Sequence, residues 1–118
     1  MVATNVPVLP DSSYIVRVLE NKMIEHSIKN IPFAYKKYYY NLLKLAYANF
    51  DNLFQYNADD RCFVCEIPVR KFARLLGMSN GTVASDFMKF IESLGLISRS
   101  FEVTNKPLVT FIYVGFFV

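Results

Sequence analysis

Apolar residues at Ile15, Val18, Leu19 and Met23 recur at helical spacing. They follow Asp11, Ser12 and Ser13, residue types that cap helix starts. A first helix is predicted through about Ile28, ended by Asn30-Ile31-Pro32. Pro32 suits the first turn of a second helix, where its missing N–H costs little. That helix is expected over Phe33 to Gln55, with Tyr35, Tyr39, Leu42, Leu43, Ala46, Tyr47, Phe50, Leu53 and Phe54 as a broad apolar face. The run "YNADDR" breaks it. "CFVCEI", Cys62 to Ile67, then reads as a short strand. Pro68 ends the strand and opens a third helix, Val69 to Leu76. Gly77 stands where a helix terminates in a left-handed residue, and Ser79 is placed to cap a fourth helix through about Leu94. Gly95 ends that helix in the same way. "LISRSFEV" and "LVTFIYV" are strand-like and flank "TNKP", a turn composition.

The third and fourth helices are close enough in sequence to fold against each other. Phe72, Leu75 and Leu76 can meet Val83, Phe87, Phe90 and Leu94, and Ala73 is small where the two must approach. This is the recipe for a helix-turn-helix unit. Val83 and Phe87 would anchor the fourth helix from behind. Asn80, Thr82, Ser85 and Lys89 turn away from its apolar face. Short polar side chains of this kind reach base edges, and Asn pairs bidentately with adenine. An exposed helix start also offers N–H groups to a phosphate.

Charge strengthens this picture. The 118-residue chain carries a net +3, distributed unevenly. Between His26 and Phe50 there is no acid, while Lys29, Lys36, Lys37 and Lys44 are basic. Between Ile67 and Ser85 there is again no acid, with Arg70, Lys71 and Arg74. Such asymmetry is a first hint of a polyanionic partner; on charge alone the plainer reading, solvated helix faces, stays ahead. Within "YKKYYY", helical spacing assigns Tyr35 and Tyr39 to packing in preference to base stacking.

Composition sets the remaining bounds. At 53% hydrophobic and 16% aromatic the chain can fill a core, and its apolar excess favours a homodimer. No signal peptide and no apolar run of membrane-spanning length is evident, so a soluble cytoplasmic protein without a membrane partner is expected. Cys62 and Cys65 lie three apart on a strand, which sends them to opposite faces. They read as structural thiols in a reducing compartment, since the only histidine is His26 and a zinc site needs more ligands.

The segment "SNGTVASDFMKFIESLGLI" resembles the recognition-helix-to-wing region of bacterial and archaeal winged-helix DNA-binding proteins. Ser79, Thr82 and Val83 match the Ser-x-x-Thr-Val opening. Phe87 and Phe90 take places usually held by leucine, and Gly95-Leu96-Ile97 leads into the wing. "IPVRKFARLLGM" resembles the helix before the turn, and the resemblance covers about Glu66 to Val114. It implies an α+β, mainly helical fold: a winged helix over residues 33–118, an added N-terminal extension and helix over residues 1–32, and a C-terminal β-hairpin wing over Leu96 to Val114. By the same resemblance, Ser79 opens the recognition helix, and Asn80, Gly81, Thr82, Ser85 and Lys89 lie at the major groove. Arg70, Lys71 and Arg74 face phosphates, and Arg99 and Lys106 reach the backbone or minor groove from the wing. Asp86 and the absence of arginine on the fourth helix depart from the usual pattern, as does the sparsely basic "TNKP". The added helix, or the apolar tail "FIYVGFFV", would mediate dimerisation.

The expected function is non-catalytic, sequence-specific binding of double-stranded DNA, in transcriptional regulation or in replication, partition or transfer of a plasmid or mobile element. "AYKKYYYNLLKLAY" ahead of the unit resembles the N-terminal domain of plasmid replication initiators of Gram-positive bacteria. The alternative is a winged helix serving as a protein-interaction module. An enzyme is not expected: no metal-ligand cluster, phosphate-cradling glycine loop or Cys/His pair of plausible geometry stands out, and no cofactor or small-molecule ligand is identifiable.

Overall fold

A computed structural model describes residues 6–30, 32–100 and 109–117. The chain is a mixed α+β domain, mainly helical, with four helices and a small antiparallel sheet. In chain order these are α1 (Ser12–Glu25), α2 (Phe33–Tyr47), β1 (Gln55–Asn57), β2 (Cys62–Glu66), α3 (Val69–Leu75), α4 (Gly81–Ser93), β3 (Ile97–Ser100) and β4 (Val109–Tyr113). The turn "TNKP", Lys106 within it, and the terminal Val118 lie outside the described residues.

The strands are ordered β1-β2-β4-β3. Phe63 pairs with Ile112, and Ile112 with Ile97, across the three longer strands. That register puts all three, with Cys65, on the face that meets the helices. Cys62 is buried outside that core, so the two free thiols do take opposite faces. Burial pushes the Cys65 thiol up to about 12.

α1 is capped by Asp11, whose carboxylate accepts from the Ser13 N–H and hydroxyl and is held below its usual range by those bonds. Its Ile15, Leu19 and Met23 are buried in the same core as Leu42, Leu43 and Ala46 of α2. Each buried isoleucine, leucine or methionine among them contributes roughly 1.5–3 kcal/mol. α1 has therefore spent its apolar stripe inside its own chain. The tail is occupied as well. Phe117 meets the Tyr14 ring edge-on at 6.0 Å, and the Lys22 ammonium sits 4.5 Å above the Phe116 ring. Neither of the two surfaces that sequence offered for dimerisation is bare.

α2 stops at Tyr47, well short of the expected Gln55. Asn49, Asp51 and Asn52 all take positive φ, which Asn and Asp tolerate better than other side chains. The Asn49 side chain then accepts from the Phe54 N–H, 3.1 Å away, closing the turn. Released from the helix, Gln55 to Asn57 pair with β2 as a strand the hydrophobic pattern did not announce. Its hairpin is fixed by Asn57, whose side-chain oxygen accepts from the N–H groups of Asp59 and Asp60.

Candidate nucleic-acid interface

α3 and α4 meet across a five-residue connection, Leu76 to Asn80. The Met78 N–H donates to the Ala73 carbonyl at 2.8 Å and the Gly77 N–H to Arg74 at 3.3 Å. This paired arrangement needs a left-handed residue, supplied by Gly77 at φ +70°. Met78 is buried in the turn and ties it to the core.

The cap of α4 is Asn80, not Ser79. Its side-chain oxygen accepts from the Val83 N–H at 3.0 Å. Ser and Asn cap equally well, so sequence alone did not separate them. The correction bears on chemistry, because one acceptor of Asn80 is committed to its own helix. A bidentate grip on adenine would compete with the cap. The N–H groups of Gly81 and Thr82, in the first turn, have no intrahelical partner.

Behind α4, Ala84, Phe87, Met88 and Ile91 are buried. Tyr35 and Tyr38 of α2 pack on Phe87 with ring centroids 5.3 and 5.7 Å away, and Tyr35 also meets Phe90 at 5.2 Å. Tyr39 is buried beside them in the core. The tyrosine run therefore packs, as its spacing indicated. Val83 is only half-buried, so the rear anchor is centred on Phe87 and Met88, with Val83 at its margin.

The outer face of α4 is open. Thr82, Asp86 and Lys89 are exposed along one stripe and Ser85 is half-buried beside it. Burial, with the Asp86 charge second, raises the Tyr35 hydroxyl above its usual range. At the helix start, Arg70, Arg74, Ser79, Asn80 and Gly81 line a shallow pocket of about 430 Å³. Arg70 and Arg74 are exposed and Lys71 is half-buried. The Arg70 stem passes 3.9 Å from where a side chain on Gly81 would begin. Ten of the eleven sequence-named residues fall within the described structure, and nine of those lie on α3, α4 or the turn between them.

Arg99 is the exception. It lies on β3 and donates to Glu92 of α4 through Nη2 at 2.8 Å and Nε at 3.3 Å. Its side chain is only 11% exposed. The guanidinium fastens the strand to the helix, so little of it is presented outward for the backbone or minor-groove contact that the resemblance implied. No sequence signal marked Glu92 as its partner, because the pair forms across the Gly95 turn. Lys106 falls outside the described residues.

No protein family, curated protein or solved structure matches the chain.

Proposed function

We propose that the chain is a non-catalytic, sequence-specific binder of double-stranded DNA built on a winged helix. The observation that carries this reading is the open polar stripe of α4, Thr82 to Lys89, set directly beside the exposed Arg70 and Arg74. Cations at that edge suit phosphates and fix register; short polar groups on the stripe suit base edges. The order of α2, β2, α3, α4, β3 and β4, with β4 hydrogen-bonded between β2 and β3, supports the winged-helix reading. In this reading a homodimer on related half-sites serves transcription, or replication, partition or transfer of a mobile element. No helix among the described residues is long and apolar enough to cross a membrane.

Selection of bound sequences from a random duplex library tests this. A recovered palindrome supports a regulator-like dimer, and direct repeats support the mobile-element roles. Folded protein that retains no duplex at low salt overturns the reading. The second reading, a protein-interaction module, is favoured by Asp86, an exposed acid in the middle of the stripe. It predicts that Asp86→Asn leaves the absence of DNA binding unchanged, whereas in a DNA binder the same change strengthens duplex affinity.

A further inference from the structure

We infer that Asp86 is a base-reading residue of α4 that selects cytosine at one position of the bound duplex. This rests on the DNA reading above and names one base of its site. Four acids lie on α1 to α4: Glu20, Glu25, Asp86 and Glu92. Three of them are used inside the chain. Glu20 meets Lys36 at 3.7 Å, Glu25 meets Lys22 at 3.3 Å, and Glu92 meets Arg99 at 2.8 Å. Asp86 is exposed and has no ion-pair partner among the described residues. Its place on the helix is central. Positions 82, 86 and 89 follow at helical spacing, and Thr82 and Lys89 are exposed one turn to either side of it. Ala84, Phe87, Met88 and Ile91, on the reverse of the helix, are buried.

The major-groove edges of the bases decide what such a carboxylate can take. It only accepts hydrogen bonds. Guanine presents two acceptors there, and thymine an acceptor and a methyl group, so neither suits it. Adenine offers its amine beside the N7 acceptor. Cytosine alone offers a donor, the N4 amine, with no acceptor next to it. The charge is tolerable at the centre of the groove. Phosphates stand about 6 Å to each side of a central side chain, half the groove's width, and the exposed Arg70 and Arg74 beside the stripe offset their repulsion. Lys89 completes the pattern. It lies three residues past Asp86, about 4.5 Å further along the axis, against about 3.4 Å per base pair. Its ammonium therefore suits O6 and N7 of a guanine within about one base step of the cytosine. The acid that departs from the usual winged-helix pattern becomes a source of selectivity, because opposite any other base its carboxylate is left without a donor of its own.

Selection from a random duplex library, run in parallel on the unaltered chain, Asp86→Ala, Asp86→Asn and Asp59→Asn, tests this. Asp59 is an exposed acid between β1 and β2, so its replacement removes the same charge away from α4. The unaltered chain should prefer cytosine at one position by about tenfold or more. Asp86→Ala should lose that preference and keep the preferences at other positions. Asp86→Asn should move it to adenine, which Asn grips through N6 and N7. On random duplex both Asp86 variants should bind more tightly, because one negative charge is gone. Asp86 is exposed, so neither variant should shift the melting temperature appreciably. Asp59→Asn should leave the selected sequence unchanged. A selected sequence that is the same with and without the Asp86 carboxylate overturns the inference and leaves the DNA reading standing. A cytosine preference that Asp59→Asn weakens as much as Asp86→Ala does also overturns it, since charge alone would then be responsible. Folded, unaltered chain that retains no duplex at low salt overturns the inference and the DNA reading together, the outcome that a protein-interaction module predicts.

Discussion

The α1–α2 and α3–α4 hairpins begin from the same local solution and present opposite surfaces. Each first helix ends in the same two backbone bonds. Ile28 donates to Met23 at 2.8 Å and Ser27 to Ile24 at 3.0 Å in one; Met78 donates to Ala73 and Gly77 to Arg74 in the other. The left-handed residue is Ser27 at φ +59° in the first and Gly77 at φ +70° in the second. Beyond that point they diverge. The α3–α4 turn is short, pinned by buried Met78, and shows water a cationic edge and a polar stripe. The α1–α2 connection is longer, exposes Ile24 and Phe33, and carries both signs of charge. One hairpin motif thus yields two kinds of surface, and the residues facing outward, not the fold of the turn, set which partner each suits.

The strongest way to break the comparison is to remove what seats α4. Phe87 is fully buried under Tyr35 and Tyr38. Phe87→Ala is expected to cost about 3–5 kcal/mol in denaturant unfolding. A loss under about 1 kcal/mol would mean that the polar stripe is not held by this anchor.

Next in size are effects on binding. Replacing Arg70 and Arg74 together with Ala should weaken all duplexes alike and flatten the salt dependence by about 2 in logarithmic slope, near one unit per lost phosphate contact. Thr82→Ala should instead change the preferred sequence at one base position by ~1–3 kcal/mol with little effect on stability. Asn80→Ala is expected to lose about 1 kcal/mol of stability through the cap, alongside any change in binding. Fluorescence anisotropy on specific and random duplexes, paired with thermal melts, separates these three outcomes.

The smallest expected effects compare the two turns directly. Gly77→Ala should destabilise by about 1–2 kcal/mol, since the left-handed conformation opposes a side chain. Ser27→Gly should stabilise by about 0.5–1 kcal/mol, the relief of that strain being partly offset by a more flexible unfolded chain. Opposite signs in thermal melts confirm that the two positions are conformationally equivalent; equal signs deny it.

Much of the fold was legible because its signals are local. The helical spacing of Ile15, Leu19 and Met23, the breaks at Pro32 and Pro68, and the glycines at 77 and 95 each act within a few residues, and the structure uses them as their chemistry requires. The apolar and polar sides of α4 were legible for the same reason. The end of α2 was not. A run of Asn and Asp at positive φ stops the helix early, while the apolar pattern continues through Phe54 as though it did not.

The sequence by itself determined that this chain would make four helices and a terminal hairpin, and which side of each helix avoids water. Only tertiary structure decided that Asn80, not Ser79, caps α4, that Arg99 spends its charge on Glu92, and that the tail folds back on α1. The physical reason is range. Periodicity and turn chemistry are fixed by neighbours along the chain, whereas ion pairs and docked tails depend on register and packing between segments far apart in sequence. The same division leaves Ile24 and Phe33 in water: no local rule forbids burying them, but the finished fold has already filled its core.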